Sequence, residues 1–282
     1  MPAGFRAAVP PISGDPSPYG LLGGCTEVVQ MGNVHEGNGT DTLSLSCADS
    51  NLWYQCDTTP GSPTPDNPAS KVFDRPRTCS YEPITVYAGV TCSTFGLSYE
   101  EGQQRALEQL RLGEQRALEQ FYMEQVLCGY ATGNNLTPAA GALSVPVGVG
   151  ALEGWLAANY GGQGVLHVPA GAAALLGHHR VLDFADGSYR TLAGNCVVIG
   201  AGYAANVGPA DPGPGCEVAP AGEAWLYITP PVRIRRDTAS LTTQDERRTI
   251  NTSTNDRYAL AESTFVPETA CCIAAAVRVT LC

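Results

Sequence analysis

"SYEEGQQRALEQLRLGEQRALEQFYMEQVL" occupies residues 98–127 and spells QRALEQ twice, at 104–109 and again at 115–120. Nine charged residues fall between positions 100 and 124, in a chain where charged residues make up only 15% of the total. Ser98 followed three residues later by Glu101 is a capping-box signature. The hydroxyl can accept from the N3 amide while the carboxylate reaches back to the cap amide, so a helix is expected to start there. Eleven residues at about 100° each come close to three whole turns, which stacks the two copies one above the other. Leu107, Leu110, Leu118 and Phe121 then share one face. Glu101–Arg105, Arg105–Glu108, Glu108–Arg111, Arg111–Glu114 and Arg116–Glu119 stand at i,i+3 or i,i+4 spacings, where outward ion pairs contribute about 0.2–0.5 kcal/mol each. Gly113 costs on the order of 1 kcal/mol inside a helix, so the expectation is a continuous rod that can bend there. From 98 to 127 it would span about 45 Å at about 1.5 Å per residue. The apolar stripe is short and lacks heptads, which argues against a coiled-coil seam.

The texture differs on either side of this rod. Residues 1–97 are polar and rich in Pro, Gly, Thr and Ser, with prolines clustered between Pro60 and Pro83. TDTLSLSC (40–47) and PITVYAGVTC (83–92) alternate as strands do. Such a segment has little to bury by itself, and reads as extended arms and a long hairpin lying on something else. From about residue 140 the chain turns apolar and Ala- and Gly-rich. VGALEGWLAANYGG (149–162) has helical spacing at Leu152, Trp155 and Leu156 and stops at Gly161-Gly162. VLHV (165–168) reads as a buried strand and PAGAAALLG (169–177) as a helix opened by Pro169. NCVVIGAGY (195–203) and EAWLYIT (223–229) read as further strands, making a compact α/β unit. The tail TFVPETACCIAAAVRVTLC ends in an apolar strand that must pair within a sheet.

Composition excludes several classes. A chain of 282 residues is long enough to bury a substantial core, and 44% apolar content argues against disorder. Gly (32) and Pro (21) make up almost a fifth of it, which fits short elements joined by many turns. The net charge of −11 would repel phosphates, so the chain is a poor candidate for gripping nucleic acid. No run approaches about 18 apolar residues, so no membrane span is expected. The start, MPAGFRAAVPPISGDPSPYGLLGG, lacks an apolar signal region and reads as a mature cytosolic N-terminus. On that reading the sequons at Asn38, Asn135 and Asn251 carry little meaning. The eleven cysteines are odd in number and contain no CxxC pair, so buried thiols are the favoured reading. In an oxidising setting Cys47 with Cys56, or Cys79 with Cys92, could bridge.

Motifs that could carry chemistry fall away one by one. Gly200, Gly202 and Ala205 follow a strand in the GxGxxA pattern of dinucleotide-binding folds. That motif needs a helix immediately afterwards, with its N-terminus facing the pyrophosphate. Gly208, Pro209, Pro212, Gly213 and Pro214 forbid a long one, so a turn into a surface loop is expected. His178 and His179 are adjacent, so both rings cannot readily share a metal from one helix face, and with His35 and His167 they are all the histidines present. No GxSxG nucleophile elbow occurs. Cys271-Cys272 is read as core of an apolar strand. Arg233, Arg235 and Arg236, with Arg247 and Arg248, form the only positive cluster and are read as ion-pairing within or between subunits, with a nucleic-acid-facing patch as the alternative. No catalytic, cofactor-binding or metal residue is assigned, and no enzyme activity or cofactor is expected.

The order of parts resembles the major capsid protein of tailed bacteriophages, whose fold is shared with encapsulin shells. MPAGFRAAVPP…CTEVV resembles that family's N-terminal arm (1–30), and the next segment its extended loop with the first peripheral strands (31–95). SYEEGQQRALEQLRLGEQRALEQFYMEQVL resembles the spine helix of the peripheral domain (96–140). GALEGWLAANYGGQGVLHVPAGAAALL with GNCVVIGAGY resembles the α/β axial domain (141–235), and RYALAESTFVPETACCIAAAVRVTL the returning peripheral strands (236–282). The resemblance implies an α+β shell subunit that forms hexamers and pentamers of an icosahedral virus head around double-stranded DNA, without sequence-specific binding or a membrane. It implies assembly in the host cytoplasm, with portal and decoration proteins as further partners. It implies a separate scaffolding protein or none, since no fused scaffolding segment precedes the arm. Some members join a loop lysine to a neighbour's asparagine; here Lys71 is the only lysine, with Asn251 and Asn255 as conceivable partners. An encapsulin-type compartment, a tail or neck component, and a nucleotide-binding α/β enzyme are the alternatives.

Overall fold

Residues 14–26 pass through turns to Glu27–Gln30, where the chain adds a strand, β1, to a sheet built mostly from its far end. The computed structural model describes residues 12, 14–44, 75–93, 98–210, 213, 215–241 and 249–281. After a three-ten turn at Val34–Asn38, β2 (Thr40–Ser44) and β3 (Arg77–Tyr81) pair antiparallel as the base of a hairpin. β4 (Ile84–Ser93) leads to the long helix α1 (Tyr99–Phe121), which passes into a π turn (Tyr122–Leu127) and α2 (Cys128–Ala131). Next come α3 (Val145–Asn159), β5 (Val165–Pro169), α4 (Ala170–His178), β6 (Leu182–Ala185), β7 (Ser188–Thr191) and β8 (Cys196–Gly200). β9 (Val207–Pro209) and β10 (Cys216–Val218) form a small ribbon. β11 (Glu223–Thr229) and β12 (Val232–Arg236) follow, then the short β13 (Ser240–Leu241) and β14 (Ile250–Asn251). β15 (Asp256–Thr269) and β16 (Ala275–Thr280) close the chain.

The capping box predicted for α1 is complete: the Glu101 amide donates to Ser98 Oγ at 3.1 Å, and the Ser98 amide to Glu101 Oε2 at 3.0 Å. Gly113 does not interrupt the helix. Through the π turn the rod reaches Ala131, about 50 Å at about 1.5 Å per residue, slightly beyond the predicted end. Buried positions step by four in two adjacent rows, Ala106, Leu110, Glu114, Leu118 and Tyr122 beside Gln115, Glu119, Met123, Leu127 and Ala131, so one face stays covered through the π turn.

Two six-stranded sheets flank this rod. In the first, β12 stands between β1 and β15, and all ten residues of β4 pair with β15. One face of the β4–β15 pair packs on the first half of α1 through Ala88, Ala259 and Ala261 against Ala106 and Leu110, small side chains that bring helix and strands close. The second sheet has the order β16-β11-β5-β8-β7-β6. Strand alternation divides its residues between two cores. Trp225, Tyr227, Val165 and Val198 face the end of the rod at Leu118, Tyr122, Met123 and Leu127. Leu226, Ile228, Leu166 and Val277 face α3 and α4 through Val149, Leu152, Leu156 and Leu176.

Several expectations need correction. The closing strand β16 was placed among strands returning to the first sheet, but it pairs antiparallel with β11 in the second. Val277 and Val279 fill the core beneath α3, which the first sheet could not offer them. Cys271 and Cys272 lie not in a strand but in the three-ten turn between β15 and β16, both with positive φ (72° and 49°). Nor are the cysteines simply buried thiols: Cys25–Cys196, Cys79–Cys272 and Cys128–Cys216 are disulfides, and Cys271 is disulfide-bonded as well. Cys79 thus pairs with Cys272, not Cys92, because the hairpin base lies against the last turn of the chain. Cys47 and Cys56 lie outside the described residues.

Candidate functional site: the junction on the long helix

The second copy of QRALEQ meets the arm and the second sheet at once. Glu119 is 0% exposed, and its carboxylate accepts the Leu21 amide at 2.9 Å and the Gly202 amide at 2.8 Å. One turn earlier Gln115 accepts the Leu22 amide at 3.3 Å and donates to the Ser17 carbonyl at 2.9 Å. A side chain at either glycine beside this contact would disturb it, at Gly20 by displacing side-chain ends and at Gly202 by meeting the helix backbone. A Cβ on Gly20 would stand 2.1 Å from Gln115 Nε2, and one on Gly202 would stand 2.1 Å from the Arg116 carbonyl oxygen. Burial raises the Glu119 pKa, and the backbone amides around the carboxylate offset only part of that.

The first copy behaves differently. Gln104 and Glu108 bond each other near the surface at 3.0 Å. Of the five predicted outward ion pairs none forms: among the described residues no salt bridge joins two residues of α1. Arg111 instead holds Asp15 of the arm at 3.0 Å, and Glu114 turns inward to Arg236 at 2.8 Å. Equal letters at equal angles take different partners because the first sheet covers one half of the rod and the arm and second sheet cover the other.

This junction also explains the glycine-rich turn. After β8 the chain makes a three-ten turn at Gly202–Ala205 and enters β9, so no helix follows that could face a pyrophosphate. The turn is not a surface loop: Gly202 and Tyr203 are buried against α1. The amide of Gly202, which would meet a phosphate in a dinucleotide site, meets the chain's own carboxylate at Glu119. An anionic cofactor would face that charge, so the GxGxxA match describes close packing on the rod.

The basic cluster is a second set of joints. On β12, Arg233 bonds Glu27 of β1 at 2.7 Å, Arg235 bonds Glu268 of β15 at 2.6 Å and Glu36 at 3.1 Å, and Arg236 bonds Glu114 of α1. Glu268 also accepts the Thr40 hydroxyl of β2 at 2.7 Å. Arm, hairpin base, rod and return strand therefore all meet one strand through charge-assisted bonds. The ion-pairing reading holds for these three residues, within one chain. Arg247 and Arg248 lie outside the described residues.

The remaining candidates are scattered. His167 is fully buried on β5, its ring nitrogens bonded to the Tyr203 hydroxyl at 2.9 Å and Thr229 Oγ1 at 3.0 Å. Burial lowers its pKa to about 3, so the ring is neutral. His178 and His179 stack edge-on at the exposed end of α4, and His35 sits far away in sequence on the three-ten turn after β1. Among the described residues no group of three or more His, Cys, Asp or Glu side chains could hold a metal. Likewise no described helix is long and apolar enough to cross a membrane. Lys71 lies outside the described residues, while Asn251 and Asn255 are exposed at and beside β14. Sequence reasoning missed Glu119, Gln115 and Glu114 as inward-facing groups. The hint available was that Glu119 and Gln115 flank the apolar Leu118 on the helix.

No family model matches the chain, and no curated protein matches it by sequence. Solved structures do. The capsid of a native GTA particle matches with a TM-score of 0.59 at 13% identity, over 99% of this chain and 96% of that one. A structure from Microbacterium phage Oxtober96 matches with 0.52 at 13% identity, over 99% and 95%. The capsid of the cyanophage P-SCSP1u matches with 0.52 at 8% identity, over 99% and 93%. Identities this low carry the fold and nothing finer. From the arm to β16, the chain has the capsid fold of tailed bacteriophages that its order of elements resembles.

Proposed function

We propose that this protein is a major capsid protein, a non-enzymatic subunit that assembles into hexamers and pentamers of an icosahedral phage head around double-stranded DNA. The observation that carries this reading is the extent of the fold match, 99% of the chain, arm and hairpin included. Their described residues bury apolar side chains against the rest of the chain: Leu21 of the arm enters the core at the end of the rod, where polar contacts also hold it, and Cys79 and Tyr81 of the hairpin base pack on Val266 of β15. Such elements suit lying across neighbouring copies, where obligate assemblies bury large surfaces. The net charge of −11 suits a wall along which DNA is packed without adhering. On this reading residues 1–30 are the arm, 31–95 the extended loop and first peripheral strands, 96–140 the spine, 141–235 the axial domain and 236–274 the peripheral return. β16 joins the axial sheet. A portal and decoration proteins, with a separate scaffolding protein or none, would be its partners in the host cytoplasm.

Electron microscopy of the purified protein tests this directly. Closed icosahedral shells are expected, and native particles should contain double-stranded DNA. Shells holding protein cargo in place of DNA would favour the encapsulin-type alternative. A chain that stays monomeric at high concentration under every condition tried would overturn the proposal.

A further inference from the structure

Shell building does not call on the disulfides, yet they are placed systematically. Cys25–Cys196 fastens the arm to β8, Cys79–Cys272 fastens the hairpin base to the last turn of the chain, and Cys128–Cys216 fastens the β9–β10 ribbon to the end of the rod. Their partners are 171, 193 and 88 residues apart, so each can close only when the folded chain brings distant segments together. Eleven cysteines is an odd number, so at least one thiol always remains.

The three bridges whose two cysteines are both described differ in access. Cys196 and Cys79 are 5% and 1% exposed, and their partners Cys25 and Cys272 are only half-exposed. Cys128 is fully buried, but Cys216 stands exposed on β10, a strand whose three residues all face solvent. Thiol–disulfide exchange requires an attacking thiolate to reach a sulfur along the bond, so exposure of one end sets the order of opening.

We propose that these three bridges form a graded redox lock, in which Cys128–Cys216 opens before the other two and releases the β9–β10 ribbon, while Cys25–Cys196 and Cys79–Cys272 keep the arm and hairpin fastened. A dithiol thiolate attacks Cys216 Sγ and forms a mixed disulfide, and Cys128 leaves as a thiolate that takes up a proton. The second thiol of the reagent then displaces Cys216, which leaves as a thiolate, and the reagent departs as a cyclic disulfide. Two electrons pass from reagent to cystine. A small-molecule disulfide reverses both steps by accepting those electrons. The inference concerns the single chain and does not depend on shell assembly.

The test uses the unassembled full-length chain. Thiols present at the start are blocked with iodoacetamide. The protein is then titrated with dithiothreitol under native conditions, and newly opened thiols are labelled with N-ethylmaleimide and located by peptide mass spectrometry. Cys128 and Cys216 are expected to acquire the second label at a reductant concentration about tenfold below that which opens the other two bridges. Hydrogen exchange at that point should rise over 207–218 and stay unchanged over 20–30 and 77–81. Cys216→Ser should reproduce the same local pattern without reductant. Simultaneous opening of all three bridges, earlier opening of Cys25–Cys196 or Cys79–Cys272, or iodoacetamide already on Cys128 and Cys216 would overturn the proposal.

Discussion

Glu119 ties two distant segments to the rod, because one buried carboxylate accepts backbone amides of the arm and of the turn after β8. Glu119→Gln replaces one acceptor oxygen by an NH₂ group that must face a backbone donor. It should cost about 1–3 kcal/mol, read from the urea midpoint, with hydrogen exchange rising at residues 20–22 and 201–203. Gly202→Ala should cost a similar amount for a different reason, because its Cβ would meet the Arg116 carbonyl and Gln120 amide of the rod. His167 supplies a pH test. Its pKa is about 3 in the folded chain against the usual 6.5, so below pH 6.5 the unfolded chain takes up a proton that the folded chain refuses. Stability should fall by about 1.4 kcal/mol per pH unit as the pH drops from 6.5 toward 3, which amounts to about 2 kcal/mol at about pH 5. Glu114 and Glu119 act in the opposite sense, since their raised pKa values favour the folded form as the pH falls. Denaturation curves of the parent chain and His167→Gln at about pH 7 and about pH 5 isolate the histidine's share. An unchanged pH slope in the variant would refute the assignment.

At the scale of the element, α1 shows how much a repeat can mislead. QRALEQ predicts one face with one kind of neighbour, and the predicted face is buried only in part: Leu110 and Leu118 are buried, Leu107 and Phe121 half-buried. Its burial is not repeated, because Ala106 is buried and its counterpart Ala117 is exposed, while Glu119 is buried and Glu108 is near the surface. The rod is long enough for its two halves to lie against different elements. Gly113 sits between them, exposed and with nothing within 4 Å of where a Cβ would stand. Gly113→Ala should therefore raise stability by about 0.5–1 kcal/mol, visible as a higher thermal midpoint with the fold unchanged. A loss of stability would mean that the glycine serves a bend the rod requires.

The whole molecule is organised around β12, whose three arginines gather acids from the arm, the three-ten turn, the rod and β15. Glu268 is 6% exposed at its side chain, so loss of Arg235 would leave it nearly buried without its shorter ion pair. Arg235→Met should cost about 2 kcal/mol, less than a fully buried pair would because the guanidinium is partly exposed. The loss should appear as a lower urea midpoint, with faster hydrogen exchange in 27–44 and 264–269. Exchange that rises over α3 and α4 instead would show that the cluster does not hold arm and hairpin.

The sequence by itself determined the elements: the capped rod, the alternating strands and the helix opened by Pro169. These follow from local rules of capping, periodicity and turn chemistry, which act over a few residues. Their order along the chain already suggested the fold. Only the tertiary structure decided which sheet receives β16, where Cys79 finds its partner 193 residues away, and that Glu114, Gln115 and Glu119 turn inward. Each is a pairing between segments distant in sequence. A helix fixes the direction in which a side chain leaves it, but what lies in that direction is set by the rest of the folded chain.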